Sequence, residues 1–152
     1  MKAPKLDGPD HDWVMQQAAS LAARVYAAPD PNGFLASLPD WQRRLFHLSQ
    51  AVMKIMNGGV DGYLAGSNGD EVEPLQEALA FIGASELRKT IQQAKDLFPN
   101  ARIPESYHNR VRSMGEILAR ENVSRIDDLF EIRIDDDIWS LMRKLDPSGG
   151  MG

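Results

Sequence analysis

The chain has three histidines, and none of them has the neighbours that chemistry at a histidine requires. His11, His47 and His108 lie far apart, and no His-Glu-x-x-His pair is present. The chain has no cysteine, which removes thiol nucleophiles, disulfides and the thiolate ligands of most structural zinc sites. No serine elbow and no phosphate-binding glycine loop follows a predicted strand. These patterns predict a protein that is not an enzyme and that uses no metal and no cofactor.

The densest run of carboxylates is Asp135-Asp136-Asp137, just before the apolar residues of a predicted last helix. Three acids could hold a divalent cation, but adjacent residues at a helix start point in different directions and make a poor cage. Acids at such a position usually cap the helix and complement its dipole. A second acidic segment, Asp70-Glu71, lacks the ligand spacing of a calcium loop. We therefore expect helix-entry acids rather than metal ligands in both segments.

Residues 57–69 hold five of the twelve glycines of the chain, between two segments with helical periodicity. Gly58-Gly59 could cradle an anion, but no Lys-Ser or Lys-Thr follows and no strand precedes it. We predict that Asn57-Gly58 ends a helix and that the glycines form a tight corner, with Gly62 and Gly66 permitting close helix approach. The alternative is a small-ligand site in this corner, with these polar groups: Asn57, Tyr63, Ser67 and Asn68.

The elements that position these residues are predicted from apolar residues at helical spacing. The clearest helix carries a stripe at Trp41, Leu45, Leu48, Val52 and Ile55. Two further helices, with stripes through Leu75 and Leu79 and through Leu87 and Ile91, meet at Gly83 and should pack as a hairpin.

A later helix is predicted to bury Tyr107, Val111, Met114 and Leu118, with Arg110 on its solvated side. Phe130–Ile134 alternates as a strand does, but without a partner strand we expect an extended connector. The sequence predicts an all-α fold, a compact bundle of six or seven helices with helix hairpins and no sheet.

The length of 152 residues fits one domain. We expect a flexible lead-in over 1–9, a single helical domain over 10–146 and a disordered tail over 147–152. No apolar run approaches the roughly 20 residues that cross a bilayer, and the start lacks the apolar core of a secretory signal. A cytoplasmic location and no membrane partner are the expectation.

The chain has 22 acidic and 17 basic residues, which gives a net charge of −5. A protein that binds nucleic acid directly needs a basic surface to neutralise phosphates, so we expect none here. A protein partner, with opposite charge to these acids, is the expected alternative.

A set of residues spread over 36–99 resembles the bacterial DNA-mimic-protein family, a helical group of largely unknown function. The signature consists of Asn57, Gly58, Gly59, Tyr63, Ser67, Gly69 and Gly83, the last within Ile82-Gly83-Ala84. The resemblance implies an all-α fold, no known catalytic activity and action through protein contacts. It also implies a homodimer and acidic side chains that imitate DNA phosphates on a transcription factor.

We therefore expect a non-enzymatic protein-interaction domain, with occupation of a DNA-binding protein as its mechanism. The residues expected to meet the partner are Asp70, Glu71, Glu73, Glu77, Asp127, Asp128, Glu131, Asp135, Asp136, Asp137 and Trp139, the last as a partly exposed aromatic anchor. If the arginines Arg110, Arg112, Arg120 and Arg133 interleave with these acids, we expect mimicry to fail. The alternatives are an immunity or inhibitor protein against a toxin enzyme and the small-ligand binder at the glycine corner.

Overall fold

The computed structural model describes residues 2–148, apart from the side chain of Asn68, and contains seven α-helices and no strand within them. The helices are α1 (Pro9–Ala27), α2 (Pro31–Ser37), α3 (Asp40–Leu64), α4 (Val72–Ile82), α5 (Ser85–Asp96), α6 (Tyr107–Glu121) and α7 (Ile138–Arg143). Three short 3₁₀ turns lie at Ser67–Glu71, Pro99–Ala101 and Ile126–Leu129. The prediction of an all-α bundle is confirmed.

Helix α3 forms the centre of the core and packs against both α1 and α4. The predicted stripe is fully buried at Leu45, Leu48, Val52 and Ile55. Trp41 lies at the edge of the core, where its ring stacks on Trp13 of α1 with 6.3 Å between centroids. Helix α7 packs along α1 and closes the core on that side.

Helices α4 and α5 form the predicted hairpin. Gly83 ends α4 in the left-handed conformation, with φ of 76°, and its N–H bonds to the carbonyls of the last turn. A residue with a side chain adopts this conformation only with strain, which explains glycine at the stop. The predicted buried side chains of both helices, including Leu79 and Ile91, lie in the core.

The segment that alternates like a strand is an extended connector, as predicted. The hydroxyl of Thr90 accepts the N–H of Arg133 and donates to the carbonyl of the same residue, both at 2.9 Å. One side chain of α5 thus satisfies both backbone groups that a neighbouring strand would otherwise pair. Ile134, next along the connector, is buried in the core.

Helix α6 presents a different face to the core from the one that its apolar spacing predicts. Tyr107 and Val111 are exposed, whereas Arg110, Met114 and Ile117 are buried. The prediction that Arg110 lies in solvent is wrong. The helix is turned because the Arg110 guanidinium finds a set of acceptors inside the protein, described below.

The predicted lead-in has defined contacts with the rest of the chain. Helix α1 begins at Pro9, one residue before the predicted boundary, and Pro4 is buried. The indole N–H of Trp139 donates to the carbonyl of Lys5 at 2.7 Å. Of the predicted tail, residues 149–152 lie outside the described residues. None of the helices described here has the length and apolar composition that crossing a bilayer requires.

Candidate functional site

The glycine-rich stretch contains the predicted corner between two helical segments, and the corner lies at Gly59. Gly58 is still helical and is the last residue before the kink, so the first segment ends within one residue of the predicted stop at Asn57-Gly58. The backbone of α3 kinks at Gly59, with φ of 68° and ψ of −169°, and helical structure then resumes as far as Leu64. Only glycine adopts this region of conformational space without strain, so Gly59 is the residue that the corner requires.

The corner is held by a pair of aspartates, Asp61 and Asp127, which we call the aspartate pair. The Asp61 carboxylate accepts the N–H groups of Ile126 and Asp127 at 3.0 and 2.9 Å. In return, the Asp61 N–H donates to the Asp127 carboxylate at 3.1 Å. Arg125 joins them by donating to Asp127 at 2.9 Å and to the Gly58 carbonyl at 3.2 Å. Each carboxylate thus caps the backbone beside the other.

A second polar cluster lies behind the same stretch and is centred on Arg110, whose side chain is 0% exposed. We call it the Arg110 cluster. The guanidinium donates at 2.6 to 3.0 Å to five groups, namely the carbonyls of Leu64, Gly66, Pro104 and Glu105 and the Asp70 carboxylate. These bonds fix the end of α3 and the following 3₁₀ turn against the start of α6.

Two glycines of the stretch are needed for close approach, and they are not the predicted ones. A Cβ at Gly69 would lie 2.8 Å from Nε of Arg110, and one at Gly59 would lie 2.7 Å from Cγ of Asp127. A Cβ at Gly62 or Gly66 would meet only the backbone oxygen of Lys54 or of Gly62, at 3.6 and 3.8 Å, which is ordinary van der Waals contact. The prediction that Gly62 and Gly66 let two helices approach is therefore wrong.

The polar groups of the predicted small-ligand site do not converge. Asn57 and Ser67 line two different cavities. Tyr63 is buried, and this burial raises the pKa of its phenol above the ordinary value of 10.0, with a further rise from the Glu71 carboxylate. Of the signature residues in this stretch, Gly59 forms the corner, Gly69 permits the approach of Arg110 and Tyr63 lies in the core. The described part of the stretch offers no single pocket to a ligand.

The aspartate pair gives the protein a defined pH response. Burial raises the pKa of Asp127 above 3.8, and the Asp61 carboxylate adds to this rise, while the Asp61 N–H and Arg125 oppose it. The folded protein then binds this proton more tightly than the unfolded chain. The contribution of Asp127 to stability therefore falls as the pH rises from the ordinary pKa of 3.8 towards the raised one.

We expect Asp127→Asn to lose this downward slope, because asparagine keeps an acceptor oxygen for the Asp61 N–H and has no proton to release. The measurement is the urea midpoint of both proteins from about pH 4 to about pH 7, in which the variant should gain stability relative to the parent as the pH rises. Asp128→Asn, at the exposed neighbour, is the matched control. A difference that is flat, or that has the opposite sign, would contradict the assignment.

Most of the acids expected to meet a partner are already paired inside the protein. The pairs, with their shortest distances, are Asp70 with Arg110 (2.7 Å), Glu71 with His47 (2.7 Å), Glu73 with Lys95 (2.8 Å), Glu77 with Arg44 (2.8 Å), Asp127 with Arg125 (2.9 Å) and Glu131 with Arg133 (2.8 Å). The hydrogen bond from Arg133 also lowers the pKa of Glu131. Arginine and lysine side chains, Arg110 and Arg133 among them, therefore interleave with these acids, which meets the condition under which mimicry by this set of acids fails.

Two further residues of the predicted set are buried. Asp135 accepts the N–H groups of Glu86 and Leu87 at 3.1 and 3.0 Å, so it caps α5. The prediction that Asp135 caps the last helix is wrong. Trp139 is 6% exposed, and its ring packs edge-on against His11 with 5.2 Å between centroids. The expectation that Trp139 is partly exposed is wrong, because its indole N–H finds a partner in the lead-in.

Three predicted acids, Asp128, Asp136 and Asp137, are exposed and form no ion pair within residues 2–148. Asp136 and Asp137 line a cavity of ≈410 Å³ between the lead-in and α7. Asp7 and Asp10, which the sequence analysis did not single out, line the same cavity. We call the four residues Asp7, Asp10, Asp136 and Asp137 the acidic face. No local sequence pattern could have predicted that these four residues lie together, because about 130 residues separate Asp7 and Asp10 from Asp136 and Asp137.

The acidic face keeps a net negative charge. Lys2 and Lys5 also line the cavity, two cations against four carboxylates. Asp10 is the one member with an ion-pair contact in the described residues, 3.5 Å from Arg143. Among the residues that the structure describes, no group of three or more histidines and acids is arranged to hold a metal ion.

Together, these features define a class of protein. It is an all-α domain with two internal polar clusters, the aspartate pair and the Arg110 cluster, and with an acidic face on its surface. The chain belongs to the DMP19-like protein family, whose model matches residues 36–145. This is the DNA-mimic family that the signature residues resemble. Comparisons with curated proteins and with solved structures gave no match.

Proposed function

We propose that this protein is a non-enzymatic interaction domain that occupies the DNA-binding surface of a basic partner protein. The observation that carries the proposal is the convergence of Asp7, Asp136 and Asp137, with Asp10, on one cavity. Membership of the DMP19-like family supports it. Attraction between an acidic face and a basic surface accelerates association and weakens as the salt concentration rises.

The proposal places the contact at the α1–α7 end of the molecule rather than along the longer stripe of acids. An acid that already has a cation beside it projects little net field towards a partner, because the two charges cancel at a distance. Glu73, Glu77 and Glu131 are in this position. Asp7, Asp136 and Asp137 form no ion pair within residues 2–148, and the four carboxylates of the acidic face outnumber the two lysines that line its cavity, so a net negative field remains.

The proposal predicts that Asp7→Asn, Asp136→Asn and Asp137→Asn, combined in one variant, abolish capture of the partner. The tagged protein is incubated with a lysate of its source cells at low and at high salt. Captured proteins are then challenged with duplex DNA. We expect the parent to retain a basic, DNA-binding protein at low salt that DNA displaces, and the variant to retain at least about tenfold less.

The matched control carries Asp96→Asn, Glu105→Gln and Glu116→Gln. It also removes three negative charges, but from exposed acids that lie outside the acidic face and have no cationic partner among the described residues. Equal loss of capture in both variants would show that total charge, and not this face, is responsible. A partner that duplex DNA does not displace would contradict mimicry and favour the inhibitor alternative.

A further inference from the structure

A groove that the proposed function does not use opens on the opposite end of α1. Its volume is ≈510 Å³, and its walls come from α1, α2, α3 and the 3₁₀ turn after α3. The aromatic residues Tyr26 and Phe46 line it, together with the polar residues His47, Asp70 and Glu71. The groove therefore combines aromatic surface with several polar side chains.

His47 is the most enclosed polar residue on the wall, with a side chain that is only 8% exposed. Its Nδ1 lies 2.7 Å from a carboxylate oxygen of Glu71. A carboxylate at this distance favours the tautomer with the proton on Nδ1, which leaves a lone pair on Nε2. In this tautomer Nε2 is an acceptor, and it has no hydrogen-bond partner within residues 2–148, in a side chain that is nearly buried.

Two further acceptors belong to the acids beside it. One oxygen of Asp70 receives Arg110 at 2.7 Å, and one oxygen of Glu71 faces His47. The second oxygen of each carboxylate takes no hydrogen bond from the described residues. The groove therefore brings together three acceptors that receive no hydrogen bond from the described residues.

The aromatic side of the groove can cover a flat cation. Tyr26 is 61% exposed and packs edge-on against Phe46, with 6.3 Å between ring centroids. The protein already uses such contacts on its own surface, where the Arg44 guanidinium lies 3.8 Å from the centre of the Phe81 ring. Arg43, a cation on the groove wall, donates to the Leu38 carbonyl and to Asp40, so its charge is already engaged.

We propose that this groove binds an arginine side chain of a partner protein. A guanidinium has five N–H donors and no acceptor, which matches a wall of unused acceptors, and its plane stacks on aromatic rings. A lysine ammonium is a compact point charge that cannot fill a flat slot in the same way. The inference rests on the proposed function in one respect, that the partner is basic.

The test uses the full chain and short peptides, so it needs no natural partner. Isotope-labelled protein is titrated with three blocked tripeptides that have a central arginine, lysine or citrulline between glycines, and the amide shifts are followed. The arginine peptide should shift amides around His47 and Glu71, with lysine at least about fivefold weaker and neutral citrulline weaker still. Equal binding of lysine or citrulline, or no binding of arginine, would overturn the proposal.

Two variants locate the bound peptide. Glu71→Gln keeps an oxygen near His47 and removes the charge, and we expect about tenfold weaker arginine binding. Tyr26→Ala removes the stacking surface and should weaken binding about threefold to tenfold. Glu73→Gln, two residues along the chain and outside the groove, and Tyr107→Ala, at an exposed ring on α6, are the matched controls.

Unchanged binding in both groove variants would place the peptide elsewhere and overturn the assignment. This outcome is distinguishable from failure of the proposed function. The acidic-face variant leaves the groove intact, so it should still bind the arginine peptide even where it captures no partner. Conversely, a groove that binds no arginine leaves salt-sensitive capture by the acidic face unaffected.

Discussion

Arg110→Ala is expected to lower the free energy of unfolding by about 3–5 kcal/mol, which is the usual consequence of removing one partner from a buried ionic cluster. The side chain is completely enclosed and donates to four backbone carbonyls and to the Asp70 carboxylate. Alanine leaves these acceptors in a space that water fills poorly. Each buried polar group without a partner costs about 1–3 kcal/mol, so the cluster has several such penalties to contribute.

The measurement is urea unfolding of parent and variant, followed by circular dichroism. Arg110→Lys should rescue little of the loss, because an ammonium offers three donors from one point and cannot reach five groups spread around a planar fork. Arg112→Ala is the matched control, since Arg112 lies two residues away, is exposed and contacts only His108 among the described residues. An Arg110→Ala midpoint close to that of the parent would refute the role assigned to the cluster.

The Arg110 cluster also shows where prediction from sequence fails. Along α6, apolar spacing favours burial of Tyr107 and Val111, and an arginine on the other side is expected in water. The carbonyls that receive Arg110 belong in part to Leu64 and Gly66, more than 40 residues earlier. The local sequence around Arg110 does not indicate that the end of α3 and the loop after it place their carbonyls beside this side chain.

Elements whose burial depends on local periodicity were predictable. The α3 stripe through Leu45 and Ile55 is buried because its spacing follows the helical repeat, and Gly83 ends α4 because a helix stop needs the left-handed conformation. Both features are encoded within one or two turns of chain. At these positions tertiary packing agrees with the structure that the local sequence already favours.

The sequence shows where the acids lie along the chain, but it did not predict which of them are paired in the folded protein. Glu77 pairs with Arg44, 33 residues away, and Asp135 caps a helix that starts about 50 residues before it. The same long-range folding leaves Asp7 and Asp137 together and unpaired. Whether a carboxylate is neutralised or free is a property of such distant contacts, and the spacing of acids in the sequence contains no record of it.

The second large effect is expected at the kink of α3, where Gly59→Ala should cost about 2–4 kcal/mol. Part of the cost is conformational, because φ of 68° with ψ of −169° is a region that only glycine occupies readily. The rest is steric, since the new Cβ would lie 2.7 Å from Cγ of Asp127, a side chain held by the Asp61 N–H and by Arg125. The carboxylate cannot move away without breaking the aspartate pair.

The neighbouring glycine gives a stringent control. Gly58 is helical and a Cβ there meets nothing within 4 Å, so Gly58→Ala should stabilise the protein by about 0.5–1 kcal/mol. In an Asp127→Ala background, Gly59→Ala should lose its steric cost and keep the conformational one, with a coupling above about 0.5 kcal/mol. Full additivity of the two substitutions would show that the glycine is required for backbone conformation alone. A neutral Gly59→Ala would remove the physical reason for glycine at this position.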